Sequence, residues 1–457
     1  MTDRYAVIWT RTPEGPVKMG NLVATERECR FSYTEDFLAS GRPGLSLLAP
    51  PALFQREPVV YPSSERMPLH PRLMSLTPGE TPGNLQRRIL TEILSRREPP
   101  PAPGFETEWA LLMMAGRDGI GHLDIFPDDL EAEAWYRAPQ HPQHLIGKRS
   151  AVWKLIREEV RQSAGDELDM ERIAELLGPT PSVGGMIPKL LATIPDRPEW
   201  DGRFAPPSIP DIDGESCIDV ILKIEPAIYP GVLELEALCL DLHAGLGLET
   251  PRFWRAEVDG MELLAIERFD RTAERLPVPM ESFLSVMAAG SRDIRGTGDT
   301  ELRALGRMIE KLGTLANLDV RATQREVYHR FLLAFFTGNG DLHLENLSFL
   351  GGPEDVRLAP VYDPAPMRAW PRHNLRSAIP IEFDPALGLG DNLAELGTAF
   401  GMSRPAATEL IRQTLDDTRD YAERVMTLER VPMERRQVLA ALIENERKAV
   451  LSTLTAS

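Results

Sequence analysis

The segment GNGDLHLENLSFL at 338–350 sets a carboxylate, Asp341, five positions before an amide, Asn346. That pair suits phosphoryl transfer: a carboxylate takes the proton of an attacking hydroxyl, and an amide oxygen helps hold Mg²⁺. Read blandly, the loop is a polar turn capped by Asn and Asp. Asp363 stands 22 positions after Asp341, at the end of the apolar run in RLAPVYDPAP. A second carboxylate there can bind the metal that bridges phosphates; otherwise it only starts a turn before Pro364. Lys223 sits in the apolar run CIDVILKI at 217–224. A buried ammonium is costly without a partner, so Lys223 either reaches phosphates or carries its head out to water. Glu234 and Glu236 follow in the next helical segment and are its candidate partners. SVGGMIPK at 182–189 has adjacent glycines whose N–H groups can cover phosphates; alone, it reads as a hairpin turn. ERFDR at 267–271 closes an apolar strand and can present backbone groups to an adenine ring.

These residues need elements to hold them. Residues 1–60 alternate apolar and polar in short pieces, which predicts small antiparallel strands. The Pro-rich stretch 50–82 reads as irregular. Leu and Ile spacing predicts helices at 84–96 and 107–115, and GRDGIGHLDIFP at 116–127 reads as a turn entering a strand. Residues 128–150, acidic and then polar, read as a linker, and 166–177 as a short helix. A strand at 217–224, a helix at 230–247 and a hairpin with a DG turn at 253–268 come next. Beyond about residue 275 the pattern is helical. Its clearest helix is 404–427, with Ser403 as N-cap and Pro405 in the first turn. The fold class is therefore an α/β N-terminal part followed by a mostly α-helical C-terminal lobe.

The chain has 457 residues, 42% apolar and 26% charged, ample for a packed core and for two or three domains. Its formal charge of −18 argues against gripping nucleic acid on its own. Three cysteines, Cys29, Cys217 and Cys239, make no disulfide framework and no metal-ligand spacing. With no secretory signal and no membrane-length apolar run, a cytoplasmic protein is expected.

The order of the motifs is that of a protein-kinase active site: Gly-containing loop, strand Lys, helix Glu, linker, D-x-x-x-x-N, second Asp. Together SVGG-x-x-PK, the Lys223 strand, ERFDR, N-x-D-x-H-x-x-N and LAP-x-YD resemble the HipA-type serine/threonine kinases, toxins of type II toxin–antitoxin modules. The early FSY strand segment and ALLMMAGRDGIGHLDIFP resemble that family's N-terminal subdomain. The resemblance implies a two-lobed kinase-like fold, with an N-terminal subdomain at 1–145, a kinase N-lobe at 146–275 and a helical C-lobe at 276–457. It implies Asp341 as catalytic base or at least as orienter of the substrate hydroxyl, Asn346 and Asp363 as Mg²⁺ ligands, and Lys223 on the ATP phosphates. Val183, Gly184, Gly185, Met186 and Lys189 would belong to the phosphate-covering loop. Glu267, Phe269 and Asp270 would line the adenine and ribose site, with His343 at its edge orienting the catalytic loop. Ser182 matches the family's autophosphorylated serine, whose charge would repel ATP and eject the loop.

The resemblance also implies a helix-turn-helix antitoxin as partner, with DNA reached only through it, and a protein substrate, which in the family can be an aminoacyl-tRNA synthetase. No membrane partner is expected. This chain departs from the family where the loop often has Lys or Arg before its final Asn; here that residue is Glu345, at a place that could hold the γ-phosphate or the peptide. Two other functions compete: a nucleotide-binding regulator with little phosphoryl transfer, and a small-molecule phosphotransferase. The intact Lys223, Asp341, Asn346 and Asp363 argue against the first, and the long N-terminal subdomain and ERFDR fit the second less well.

Overall fold

The computed structural model describes residues 3–80, 84–138, 187–212 and 214–454, with residues 147, 153–154 and 156–157 between them. The early alternation forms β1 (Arg4–Thr12), β2 (Gly15–Ala24), β3 (Glu28–Tyr33), β4 (Val59–Pro62) and β5 (Asp124–Phe126), an antiparallel sheet in the order β4-β3-β2-β1-β5. Strand side chains alternate between faces, so Ile8, Leu22 and Phe31 fall on one side and bury with Trp109 and Leu112. Gly20 lies under the Phe31 ring, where an added Cβ would come within 2.5 Å of a ring carbon. Only a glycine fits that approach.

Five helices accompany this sheet: α1 (Glu35–Ala39), α2 (Pro71–Met74), α3 (Leu85–Ser95), α4 (Phe105–Ala115) and α5 (Asp129–Arg137). The helices expected at 84–96 and 107–115 are α3 and α4, and Asn84 caps α3 by accepting the Arg87 N–H at 3.0 Å. The stretch 50–82 is not irregular throughout, since it carries β4 and α2. The linker expected at 128–150 begins instead as α5. Asp128 accepts the Glu131 N–H at 2.9 Å, and acids in a first turn suit the positive helix end. Asp129 is tied to Lys18 at 2.6 Å, and Trp135 and Tyr136 pack on Phe126. The helix expected at 166–177 lies outside the described residues.

The second sheet holds β6 (Lys189–Pro195), β7 (Asp211–Ile212), β8 (Glu215–Ile224), β9 (Phe253–Val258) and β10 (Met261–Glu267), in the order β6-β8-β10-β9 with β7 beside β8. The DG turn between β9 and β10 puts both Asp259 and Gly260 at positive φ, +54° and +77°, as a two-residue hairpin turn requires. Both faces of this sheet are covered. Val220, Leu222, Ile224, Leu263 and Ala265 join one apolar cluster, while Leu264 and Ile266 join another with α6 (Val232–Gly245). Burial on both sides explains why β8 reads as a nearly continuous apolar run.

The last part is helical apart from a small sheet of β11 (Met280–Ser282), β12 (Ser348–Leu350) and β13 (Arg357–Leu358). Its helices are α7 (Phe283–Gly290), α8 (Leu302–Leu312), α9 (Val320–Thr337), α10 (Leu389–Thr398), α11 (Arg404–Asp417), α12 (Tyr421–Thr427) and α13 (Met433–Leu451). Ser403 caps α11 through the Ala406 N–H at 3.3 Å. The single helix expected over 404–427 is broken into α11 and α12. Thr414 and Thr418 hydroxyls bond back to the carbonyls four residues earlier, both at 2.7 Å, a habit that bends helices. Arg447 of α13 then takes the Leu415 carbonyl at 2.7 Å and the Thr418 hydroxyl at 3.0 Å, ending α11 there.

One buried carboxylate ties the N-terminal subdomain to the C-terminal lobe. Glu281 on β11 accepts the Ser46 hydroxyl at 2.9 Å, the Leu47 N–H at 2.7 Å and the Ser285 hydroxyl at 2.7 Å. Removing the acceptor strands three donors. Glu281→Ala should lower stability by about 2–3 kcal/mol, read as a fall in the urea midpoint; an unchanged midpoint would show that the link does not hold the two parts together.

Candidate active site

Lys223 lies on β8, on the face that α6 covers, and is 2% exposed. Its Nζ donates to Glu236 Oε1 of α6 and to Asp363 Oδ1 at 2.6 Å. Glu236 belongs to the buried stripe of α6, between Leu233 and Leu240. A carboxylate there needs a cation, and Lys223 supplies it. Glu234, the other candidate, faces elsewhere and accepts the Arg430 N–H at 3.0 Å. Burial works to lower the Lys223 pKa, but Asp363 and Glu236 outweigh it and hold the ammonium above its usual value.

The antiparallel register puts Lys189, first residue of β6, directly opposite Lys223. Like charges so placed repel. Asp363 lies between them and accepts Lys189 Nζ on Oδ2 at 2.5 Å. Burial alone would raise the Asp363 carboxyl, yet the two lysines hold it well below the usual range. To reach them Asp363 adopts φ +58°, a left-handed conformation uncommon for a side chain larger than glycine.

The loop with Asp341 follows α9. Gly338 takes φ +78° and its N–H bonds to the Ala334 carbonyl, closing the helix. The loop then braces itself. Asn339 Oδ1 accepts the Asp341 N–H at 3.0 Å, and Asn346 Nδ2 donates to the Asp341 carbonyl at 3.0 Å. That second bond fixes which way the Asn346 amide faces and leaves its oxygen for a ligand. His343 Nδ1 accepts the Glu345 N–H at 3.2 Å, a further bond within the loop. Tyr362 props it from behind, donating to the Glu345 carbonyl at 2.6 Å and sharing a 2.6 Å bond with Ser348. The Asp341 carboxylate makes no side-chain hydrogen bond or ion pair among the described residues. Burial raises its pKa and Asp363 adds to the rise, against the opposing pull of His343, Lys189 and His373. His373 is held by a 2.7 Å bond to Tyr229.

The nucleotide-edge residues divide. Phe269 packs on Tyr362, ring centres 5.5 Å apart. The Glu267 carboxylate is paired with Arg252 at 2.7 Å. Asp270 does not offer its carboxylate to a ribose. It is buried, and it accepts Arg268 Nε at 2.9 Å, Arg271 Nη1 at 2.9 Å and the Gly121 N–H at 2.8 Å. Against burial, Arg268 and Arg271 pull its pKa down to about 2. The RFDR segment is thus a clamp onto the N-terminal subdomain, and the alternating charges of ERFDR and GRDG were its only sign in the sequence. Ser182, Val183, Gly184, Gly185 and Met186 lie outside the described residues, so the structure places only Lys189 of that motif. Sequence reasoning assigned no role to Tyr362, Tyr229 or His373, because only tertiary packing brings them to the loop.

Asp363 and Asn346 carry hard oxygen atoms of the kind Mg²⁺ takes, and both Asp363 oxygens are shared here with Lys189 and Lys223. Among the described residues no group of three or more His, Cys, Asp or Glu could hold a metal alone.

Lobes joined in this way, with a strand lysine paired to a helix glutamate, define a kinase-like fold. The profile of the HipA-like C-terminal domain matches residues 181–422, and that of the HipA N-terminal domain matches 14–126. The chain belongs to the HipA family. A Haemophilus influenzae protein named "Putative kinase" is 24% identical over 234 residues, 46% of this chain and 68% of that protein. "Putative kinase Y4mE" of Sinorhizobium fredii is 23% identical over 334 residues, 70% of this chain and 72% of the other. The HipA of Shewanella oneidensis, solved with HipB and operator DNA, shares the fold with a TM-score of 0.65 and 19% identity over 96% of each chain.

Lys223→Met would leave Glu236 buried beside no cation. We expect a loss of about 3–5 kcal/mol in urea unfolding, and partial recovery in the Lys223→Met/Glu236→Gln double variant. A double variant no more stable than the single one would show that the pair is not coupled.

Proposed function

We propose that this chain is an ATP- and Mg²⁺-dependent serine/threonine protein kinase that acts as a growth-inhibiting toxin. The observation that carries the proposal is the convergence of Lys223, Glu236, Lys189 and Asp363 beside the Asp341 loop. Lys223 and Lys189, which meet at Asp363, would bind phosphate oxygens, and Asp363 with the Asn346 amide oxygen would hold Mg²⁺, which would neutralise phosphate charge. Asp341 takes the proton of the acceptor hydroxyl as the hydroxyl oxygen bonds to the γ-phosphorus. The bond from that phosphorus to ADP breaks, and ADP leaves with the electron pair. Phe269 and the backbone at Glu267 would border the adenine. His343 keeps the loop in shape at the edge of the nucleotide.

Family membership supports the toxin reading, and the Shewanella relative's title names a toxin–antitoxin system with HipB and operator DNA. We extend that to a HipB-type helix-turn-helix antitoxin here. A chain of charge −18 suits an arrangement in which the partner makes the DNA contacts. Ser182 is the proposed autophosphorylation site, and the cytoplasm the proposed location. Among the described residues no helix is long and apolar enough to cross a membrane.

Purified protein with labelled ATP and Mg²⁺ should transfer label to Ser182 and to a protein acceptor, and Asp341→Asn should slow transfer by about 10²–10⁴-fold. Label on small hydroxylated acceptors alone would refute the protein-kinase assignment. Induced expression should arrest growth with the wild type and not with Asp341→Asn.

The raised Asp341 pKa has a definite sign. The base must be deprotonated, so the rate falls as pH drops through its pKa, and that acid limb should lie above the ordinary Asp value of about 3.9. A limb at or below that value would remove Asp341 from the role of base.

A further inference from the structure

A cavity of about 670 Å³ opens between the N-terminal subdomain and the C-terminal lobe, and it reaches the catalytic loop at Glu345. It belongs to no part of the nucleotide site. Its walls are stiff, with Pro68, Pro71, Pro78, Pro100 and Pro101 among them, residues that present apolar surface and no N–H donor. On the C-terminal side the loop is tied to that wall, the Leu344 N–H bonding to the Thr297 hydroxyl at 3.4 Å.

The charges of the lining are unevenly committed. Arg66 is paired with Asp299 at 3.0 Å. Arg87 is paired with Glu108. Arg295 is spent on the Ile294 carbonyl at 2.8 Å and the Ser64 hydroxyl at 3.2 Å, 5.8 Å from the Tyr61 ring centre. Glu65, Glu80 and Glu345 are exposed and have no ion pair among the described residues. Arg295 keeps its charge, since its partners are neutral, so among the described lining residues three unpaired acids face one unpaired cation and the net charge is negative.

We propose that this cavity is the groove for the acceptor polypeptide, and that Glu345 selects acceptors with a Lys or Arg close to the phosphorylated residue. The proposal rests on the kinase reading above and names its substrate class. Asp341 and Glu345 belong to one loop, closed on itself by the Asn346–Asp341 bond of 3.0 Å. An extended chain advances about 3.3–3.6 Å per residue, so the basic residue falls within about three positions of the acceptor hydroxyl. Backbone bonds hold Glu345 at both ends, its N–H on His343 at 3.2 Å and its carbonyl on Tyr362 at 2.6 Å. Its carboxylate is thereby left for the groove. Uncommitted acids at the mouth also draw in cationic segments from a distance.

The test uses two fluorescent peptides that share one serine and differ only in carrying lysines or glutamates on either side of it. Anisotropy measures binding without nucleotide, and labelled ATP with Mg²⁺ measures transfer in the same samples. We expect the wild type to prefer the lysine peptide, Glu345→Lys to weaken that peptide about tenfold and favour the glutamate one, and Ser95→Trp, on the far wall, to weaken both. Equal binding of the two peptides, or an unchanged preference in Glu345→Lys, overturns the groove even if both are phosphorylated. Selective binding that the variants shift as expected, with no label on either peptide, upholds the groove and sinks the kinase reading instead.

Discussion

Two lysines face each other across neighbouring strands, and like charges in that position repel unless an anion lies between them. Lys189 and Lys223 obtain theirs from Asp363, which the polypeptide delivers from the other lobe. Much else follows. Asp363 bridges the pair from a left-handed backbone, and Glu236, on the buried stripe of α6, balances the second charge. Buried ions are stabilised only by close partners. The arrangement therefore fixes the sheet, the helix and the C-terminal loop relative to one another, and these are the parts that a phosphate-handling site has to align.

Apolar packing supports the same junction. Leu264 and Ile266 of β10, the inner face of α6, Trp370, Tyr421 and Leu439 form one cluster that spans the two lobes. On the other side, Asp270 and its two arginines fasten the end of β10 to Gly119 and Gly121 of the N-terminal subdomain. Glu281 makes a second fastening. The N-terminal subdomain is thus bolted to the end of β10 and to the lobe that carries Asp341.

Much of the fold was legible. Strand alternation, helix spacing and the DG turn predicted the first sheet, α3, α4 and the β9–β10 hairpin close to where they lie. Failures had local causes. The acidic start of 128–150 reads as part of a linker because surface charge and a helix N-terminus have the same composition, and only contact with Lys18 and Phe126 separates them. At the break between α11 and α12 stands Arg447, 29 residues past Thr418, which takes the Leu415 carbonyl and the Thr418 hydroxyl. No pattern within 404–427 encodes that.

The site divides in the same way. Residue type and order alone marked Lys223, Asp341, Asn346 and Asp363, because a lysine in an apolar strand and a carboxylate–amide pair in a short loop are chemically informative wherever they occur. Sequence could not choose between Glu234 and Glu236, since both lie in one helix and only the direction of its buried face decides. Nor could it foresee that Asp270 is withdrawn into a clamp, that Lys189 stands opposite Lys223, or that Tyr362 props the loop. Each depends on which groups meet across long separations in the chain. Local sequence determines the chemistry a residue can do; strand register, helix orientation and lobe contact determine which charges lie within reach of one another, and electrostatic interaction falls off with that distance.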